Sequence, residues 1–593
     1  LTQQILNILR YLHAERQKKF AGVEFLFELM HAPWFGLDPN DIAVLALHMQ
    51  GKKENGPVRW RLLLSNPLLI ESLGLKSAKA MHRLGRNLDE WEKYQHGLPL
   101  PLFIEKVVYE SGIVAHTLQT ADHIWALQAL TTFFNFVKGH WARNERISVG
   151  GLLEITDRMT REKLKLELER TVQSDNGVSF YTAHSSKGNE FEYVFLIGCT
   201  SGFWEKKGGG PANFTMPDTI TNTEEDIDKT YKTEVARRLF YVALTRAKKY
   251  LHISYALAEN SGKVLEPTVF IEEISTAEER EKCKVPQEVL AKHMEWALQP
   301  VPEVRIRIAN AEWIERMLQQ FSMSATQLSK FLRCPLEFYY ETILRVPMQK
   351  RDALAFGTAV HYALERMFKE MQRANGVFPT KEEVQAAFVS ELKREGGGMS
   401  PVVYERRMEQ GQQVLADYYD HYINSLYKDA EIELKVQRYY LDGVPVTGKI
   451  DKIELHPDGN RVIDYKTGDP GDSKEPNSNL KPPTEDNPLG GDYWRQMVFY
   501  KLLLENYEDR SRIVKAGIFD YVQKNKKGEF RQFVIPMYKQ DEDIVRQQLK
   551  DAYTRIMNHE FDRGCGEEKC HWCNFAKRYE LIVRPDEPEL DDE

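Results

Sequence analysis

The chain has 593 residues, 42% of them hydrophobic and 28% charged, with a formal net charge of −8. It is too long for one core, so three or four domains are expected, and the composition is that of a globular protein rather than a disordered or fibrous one. No apolar run reaches membrane-spanning length and the start lacks a secretory apolar region, so a cytoplasmic location without a membrane partner is expected, while the negative charge excludes a uniformly basic nucleic-acid coat but not local basic channels.

Residues 1–170 read as mainly helical. Leu1, Ile5, Leu9 and Leu12 recur at helical spacing, and Asp38 before Pro39 reads as an N-cap followed by proline at the first helical position. Residues 121–137 form a later helix punctuated by aromatic residues. The texture then changes. Residues 178–183 read as a buried strand, 184–192 as a polar loop and 193–198 as a second strand, which suits an α/β core. A helix over 236–247 places Leu239, Val242 and Ala243 inward and Arg246 near its end, before a strand at 250–255. An arginine there can reach a phosphate with its planar donor fork, or simply cap the last carbonyls. Residues 265–274 close this unit, and 276–321 read as a charged helical linker interrupted by Pro286, Pro300 and Pro302.

The last third is organised around residues 448–466. Two strand-forming runs flank Asp458 and Gly459, a hairpin signal. Alternation places Asp464 and Lys466 on one face, and puts Asp451 with Ile453 and Leu455, pointing inward. A buried carboxylate needs a partner or a cation. Two carboxylates and a lysine suit a hard divalent ion, magnesium or manganese, with the lysine acting on a water. That is a phosphodiester-cutting arrangement; the rival reading is a surface hairpin with solvated charges. Upstream, Ser324 or Thr326 caps a helix that stops before Pro335. A further helix carries His361 and Glu365 one turn apart on one side. Glu433, on a strand at 431–440, is a weaker candidate and is read as exposed. Residues 469–492, rich in Pro, Gly, Asn and Asp, form a loop at the mouth of this site.

At the end, Cys565, Cys570 and Cys573 form a C-x4-C-x2-C cluster, one ligand short of a closed site, and Cys334 is the obvious fourth. Four thiolates suit zinc and equally an iron–sulfur cluster. His571 is an outside candidate, and Cys199 and Cys283 read as ordinary thiols. Residues 584–593 read as a solvated acidic tail.

Residues 182–191, from Thr182 through His184, Lys187, Gly188 and Glu190 to Phe191, resemble the fifth motif of UvrD/Rep-type superfamily 1 helicases. Residues 241–247, ending in Arg246 and Ala247, resemble the sixth. The resemblance implies a second RecA-like domain at 171–275. There Thr182, His184, Lys187 and Gly188 would serve DNA and nucleotide contacts, Glu190 the nucleotide sugar, and Arg246 the transferring phosphoryl group. Residues 31–37 give 1–170 a faint similarity to the insertion domain of the RecB/AddA branch. No Gly-x-x-x-x-Gly-Lys-Ser/Thr phosphate loop occurs. The first RecA-like domain is therefore expected as a missing partner, with ATP bound only in the full-length protein. The chain reads as the C-terminal part of a longer helicase or, alternatively, as a naturally shortened protein with a dead motor half.

Residues 324–340, 356–365, the Asp451 hairpin and residues 496–500 together resemble the PD-(D/E)XK nuclease domain of the RecB/AddB family, over 322–583. The resemblance implies that His361, Asp451 and Asp464 bind magnesium with the carbonyl of Tyr465. Lys466 would act on the attacking water, and Gln496 and Tyr500 would support the site and touch DNA. It also favours a 4Fe–4S cluster on Cys334, Cys565, Cys570 and Cys573, although position 579 is Tyr where that family's spacing has a cysteine. The expected fold class is α/β multidomain: a helical insertion region, a second RecA-like parallel α/β domain, and an α/β nuclease domain with a mixed central sheet. The expected function is a magnesium-dependent DNA nuclease within an ATP-dependent helicase–nuclease. It would act on single strands and duplex ends in break repair and recombination, and a candidate partner is a second helicase/nuclease subunit. The alternative is a non-catalytic DNA-binding scaffold.

Overall fold

The structure is a computed structural model that describes residues 1–19, 21–50, 60–168, 177–205, 229–259, 261–297, 303–308, 311–346, 352–396, 399, 401–473, 476–507 and 512–583. It divides into two compact units, Leu1–Arg170 with Pro302–Glu593, and Thr171–Val301. The acidic tail expected at 584–593 lies outside the described residues.

The first unit opens with α1 (Thr2–Gln17) and α2 (Val23–Met30). Ile5, Leu9 and Leu12 are fully buried, as one apolar stripe of a helix should be. The Asp38 carboxylate accepts from Asn40 N at 2.8 Å where the helix Pro39–Gln50 starts, and the later aromatic run lies in the helix His123–Arg143.

In the second unit, β1 (Phe191–Leu196) and β2 (Ala247–Ile253) pair in parallel, with α3 (Lys229–Leu244) between them in sequence. Parallel neighbours need such a crossover. Phe240, Phe270, Ile271 and Cys199 form a small core. The buried helix positions are Phe240 and Ala243, whereas Leu239 and Val242 are only half-buried. Residues 178–183 are not a strand: they lack regular structure, and Val178 and Phe180 are 84% and 85% exposed. Among the described residues β1 and β2 pair with each other alone, so no ladder takes up the backbone of that apolar run. The linker is helical only at Gln287–Ala297 and Ala311–Gln319 among its described residues.

The chain then returns to the first unit. Ser324 caps α4 (Ala325–Arg333) in a reciprocal capping box with Gln327, and Cys334 follows in extended conformation. Helices α5 (Asp352–Arg373) and α6 (Pro401–Tyr422) precede a five-stranded mixed sheet. Its strands β3 (Ala430–Leu441), β4 (Val444–Glu454), β5 (Asn460–Lys466), β6 (Val514–Tyr521) and β7 (Arg531–Pro536) lie in sequence order. Only β5 and β6 are parallel, and α7 (Asp492–Asn506) lies between them in sequence. Helices α8 (Lys539–Met557) and α9 (His571–Arg578) complete the unit.

The tight turn of the sheet is Asp442 and Gly443, with φ of 51° and 86°, the backbone that a two-residue hairpin favours. Asp458 and Gly459 sit instead in the longer connection from β4 to β5. Strand β5 is clamped from both sides. Val462 joins a core with Met497 and Leu503, while Ile463 and Tyr465 join Phe356, Phe388 and Leu415. A Cβ on Gly517 of β6 would stand 2.7 Å from Met497 Cγ, so glycine lets α7 lie close against the sheet. No helix among the described residues is long and apolar enough to cross a membrane.

Candidate active site and metal centre

Strand β5 sends Asp464 and Lys466 to the α7 side, as alternation requires. Gln496 of α7 meets both: its Nε2 donates to Asp464 Oδ1 at 3.0 Å, and its Oε1 accepts from Lys466 Nζ at 3.4 Å. Gln496 Nε2 also reaches Tyr500 OH at 3.0 Å, one helical turn on. Lys466 Nζ lies 2.7 Å from Asp464 Oδ2. From the other direction, His361 Nδ1 of α5 lies 3.2 Å from Asp451 Oδ2, and that same oxygen accepts from Tyr465 N at 3.2 Å. Two helices and two strands therefore bring His361, Asp451, Asp464, Lys466, Gln496 and Tyr500 into one cluster.

The carboxylates titrate in opposite directions. Burial pushes Asp464 above the usual carboxylate range, and the nearby Asp451 charge adds to this while Lys466 opposes it. Asp451 is also buried, but the His361 hydrogen bond and charge, with the Tyr465 N–H, outweigh burial and hold it low. Burial acts to lower His361; Asp451 outweighs it and raises the imidazole. Asp464 Oδ2 is buried with no aligned hydrogen-bond donor, although the Lys466 ammonium is near. A buried carboxylate oxygen left so, beside a second carboxylate and an imidazole, is a donor set that fits a hard divalent cation.

The four sequence-distant thiols also converge. The ligand atoms of Cys334, Cys565, Cys570 and Cys573 all lie within 4.8 Å of one another, a group that can hold a metal. Cys334 comes from the end of α4 and Cys573 from α9, and both are buried. His571 stays out of this group; its Nε2 lies 3.9 Å from Glu28 Oε1. Cys199 is buried and Cys283 exposed, and neither joins it.

In the second unit, residues 183–188 form a turn with Gly188 at φ +90°. Thr182 and Ser185 bond each other there, Oγ1 to Oγ at 2.9 Å, and His184, Lys187 and Glu190 are exposed. Arg246 folds onto this loop. Its Nε donates to Val242 O at 2.8 Å, its Nη1 to Asn189 O at 3.2 Å, and its Nη2 to Thr245 Oγ1 at 3.1 Å. Glu190 lies 3.5 Å from Lys248.

Residues 322–578 match the PD-(D/E)XK nuclease superfamily, and residues 77–258 match the UvrD-like helicase C-terminal domain. The chain joins a UvrD-like helicase C-terminal domain to a PD-(D/E)XK nuclease domain. The chain is similar to an ATP-dependent helicase/nuclease subunit of Pediococcus pentosaceus, 28% identical over 39% of this chain and 20% of that protein. It is also similar to a probable DNA helicase II homolog of Mycoplasma pneumoniae, 32% identical over 21% of this chain and 16% of the relative. A PcrA helicase of Leuconostoc citreum is 34% identical over 20% of this chain and 14% of its own length. The matched stretches thus span a fifth or less of these three relatives.

Within the nuclease domain, sequence reasoning missed three features. The first is an aromatic seat for Lys466, whose Nζ stands 4.3 Å from the Tyr493 ring centroid and 5.0 Å from that of Phe519. Tyr493, Gln496 and Tyr500 recur at helical spacing, a signal available in the sequence. The second corrects Glu433. It is not exposed: its side chain is 7% accessible, paired with Lys449. With φ +58°, it lines a small pocket with His361, Glu365, Asp451 and Tyr465. Burial raises its carboxyl, against the pull of Lys449. The third is Arg495, itself 1% exposed. It donates to Ser329, Asp492, Gln548 and the carbonyls of Leu489 and Gly490. It thereby ties the end of the 469–492 loop to the helix that carries Gln496.

Proposed function

We propose that this chain is a magnesium-dependent DNA nuclease and the C-terminal part of an ATP-dependent helicase–nuclease that processes DNA ends in double-strand-break repair and recombination. The supporting observation is the cluster itself: buried Asp464, 2.7 Å from the Lys466 ammonium, together with the Asp451–His361 pair. A divalent cation on His361, Asp451, Asp464 and the Tyr465 carbonyl would supply Lewis acidity at a phosphodiester and offset the charge that burial disfavours. Lys466 orients the attacking water through its ammonium donors. Gln496 fixes the spacing between Lys466 and Asp464, and Tyr500 braces Gln496 at the surface that meets the strand. Glu433 and Glu365 stand beside Asp451 but are paired with Lys449 and Lys369, so the cation would rest on the His361, Asp451 and Asp464 set. Exonucleolytic and internal single-strand cutting are both open to such a centre.

In the helicase domain, Thr182, His184, Lys187, Gly188, Glu190 and Arg246 are the proposed nucleotide and DNA contacts. They would act when a first RecA-like domain supplies the phosphate loop, and Arg246 would then exchange the Val242 and Asn189 carbonyls for a phosphate. A cytoplasmic site of action fits this reading, and so does pairing with a second helicase/nuclease subunit.

The test is cutting of end-labelled single-stranded DNA with magnesium. Asp464→Ala and Lys466→Ala should each abolish it while the chain stays folded; cutting that persists in both removes the assignment. Binding of DNA with no metal-dependent cleavage by the unaltered chain would favour the scaffold reading instead.

A further inference from the structure

The family resemblance implies a four-iron cluster on the four cysteines, and the sulfur spacing does not fit one. Cys334 Sγ lies 3.9 Å from Cys573 Sγ and 3.7 Å from Cys570 Sγ, and Cys565 Sγ lies 3.7 Å from Cys573 Sγ. No ligand atom in the group is more than 4.8 Å from another. Around one tetrahedral ion with metal–sulfur bonds of about 2.3 Å, adjacent sulfurs stand about 3.8 Å apart. In a four-iron cluster each cysteine bonds a different iron. Moving those irons from one point to separate corners pushes every cysteine sulfur outward from that separation. Three of the six sulfur pairs here stand at the single-ion distance, and none is farther apart than 4.8 Å.

The walls are also tight. A Cβ on Gly564 would meet Cys573 Sγ at 2.5 Å, Leu336 Cδ1 at 3.1 Å and Val304 Cβ at 3.1 Å. Only a residue without a side chain fits against that sulfur, so the group has little freedom to spread.

The surroundings show what such an ion would hold. Helix α9, which carries Cys573, packs between α2 and the nuclease domain, beside the direct contact of Phe27 with Tyr340. Trp572 stacks on Tyr340 with ring centroids 4.4 Å apart, and its Nε1 donates to Glu341 Oε1 at 3.0 Å. Phe575 stacks on Phe27 at 6.1 Å and meets the edge of His31 at 5.0 Å, and Tyr579 OH donates to Glu28 Oε2 at 3.5 Å. Phe27 and Glu28 belong to α2, and His31 follows it directly.

We propose that Cys334, Cys565, Cys570 and Cys573 hold a single zinc ion, not an iron–sulfur cluster, and that this ion fixes α9 as the joint between α2 and the nuclease domain. Zinc has no redox chemistry, so the site is a mechanical clamp, separate from the magnesium centre.

The full chain, purified under nitrogen, should contain one zinc per molecule, no acid-labile sulfide and no broad visible absorption. Four irons with matching sulfide, or no bound metal, overturns the proposal. Exchange of zinc for cobalt should give the intense visible bands of a tetrahedral thiolate site; a colourless cobalt product counts against it. Gly564→Ala leaves all four ligands in place and should still release zinc faster to a chelator; unchanged release contradicts the crowding argument. For the joint, amide exchange is compared before and after zinc removal. Protection in Val23–Met30 should fall by about tenfold while Asn460–Lys466 keeps its own. Equal protection of α2 with and without metal would overturn the clamp.

Discussion

The two sheets among the described residues solve the same problem differently. In the nuclease domain, β5 runs between two helical layers, and Val462, Ile463 and Tyr465 are buried on alternate faces. In the helicase unit, β1 and β2 stack Tyr193 on Tyr250 and Phe195 on His252 across the ladder, yet Tyr193 and Phe195 are 55% and 65% exposed. The consequence reaches the charged residues. Burial is what moves Asp464 and Asp520 upward, whereas Glu190 and Glu192 sit in open ion pairs with Lys248 and Lys249. Taking water away from a carboxylate disfavours its charged form, so only the buried set has a charge for a cation to offset.

The largest expected effect sets packing against exposure. Trp494, 1% exposed in α7, should cost about 3–5 kcal/mol on substitution by alanine. Phe195→Ala in β1 should cost less than about 1 kcal/mol, because most of its surface already meets water. Urea unfolding of the two variants, followed by far-ultraviolet circular dichroism, measures both. Similar losses would break the contrast between the sheets.

A second effect concerns the joint at α2. Burial pushes the His31 imidazole from its ordinary 6.5 down to about 4, with the Phe27 carbonyl hydrogen bond opposing. The folded state therefore holds the neutral ring, and the unfolded chain binds the proton first. The stability involved is fully present above pH 6.5 and is lost as the pH falls toward 4, by about 3 kcal/mol in total. Unfolding measured between pH 7 and 4 should show this loss. His31→Gln, which keeps a donor for the Phe27 carbonyl, should remove that part of the pH dependence.

Much of the candidate site was legible because two fixed periods place it. Alternation puts Asp464 and Lys466 on one side of β5, and the helical period puts Gln496 below Tyr500 and His361 beside Glu365. The cysteines were legible because three crowd together near the end and a fourth, Cys334, stands near the start of the same domain. What failed to show in the sequence depends on tertiary neighbours. The apolar run at 178–183 looks like a strand, but a strand is defined by its ladder, and the described residues give it none. Glu433 looks exposed on a polar strand, but its left-handed backbone turns it inward. Leu1–Arg170 and the nuclease segment form one compact unit, and contacts such as Phe27 on Phe575 within it are announced by no local pattern.

Smaller effects sharpen the comparison where it concerns catalysis. The rings of Tyr493 and Phe519 hold the Lys466 ammonium from below, an attraction of about 1–2 kcal/mol when partly desolvated. Tyr493→Leu should therefore slow cutting about tenfold, and Tyr493→Phe, which keeps the ring, should restore it. Single-turnover assays at saturating DNA separate this from binding; equal rates for the leucine and phenylalanine variants would show that packing, not the ring face, matters.

The smallest effect lies on the open sheet. Lys249 Nζ sits 2.8 Å from Glu192 Oε1, as close as Lys466 to Asp464, but both partners are about 60% accessible. Water screens the pair, and two long side chains lose rotamer freedom to make it. Lys249→Ala should change stability by less than about 0.5 kcal/mol, measured by urea unfolding at low and at high salt. Equal distances thus carry unequal weight, and a cost above about 1 kcal/mol would mean that the helicase sheet is covered in solution by something that excludes water from this pair.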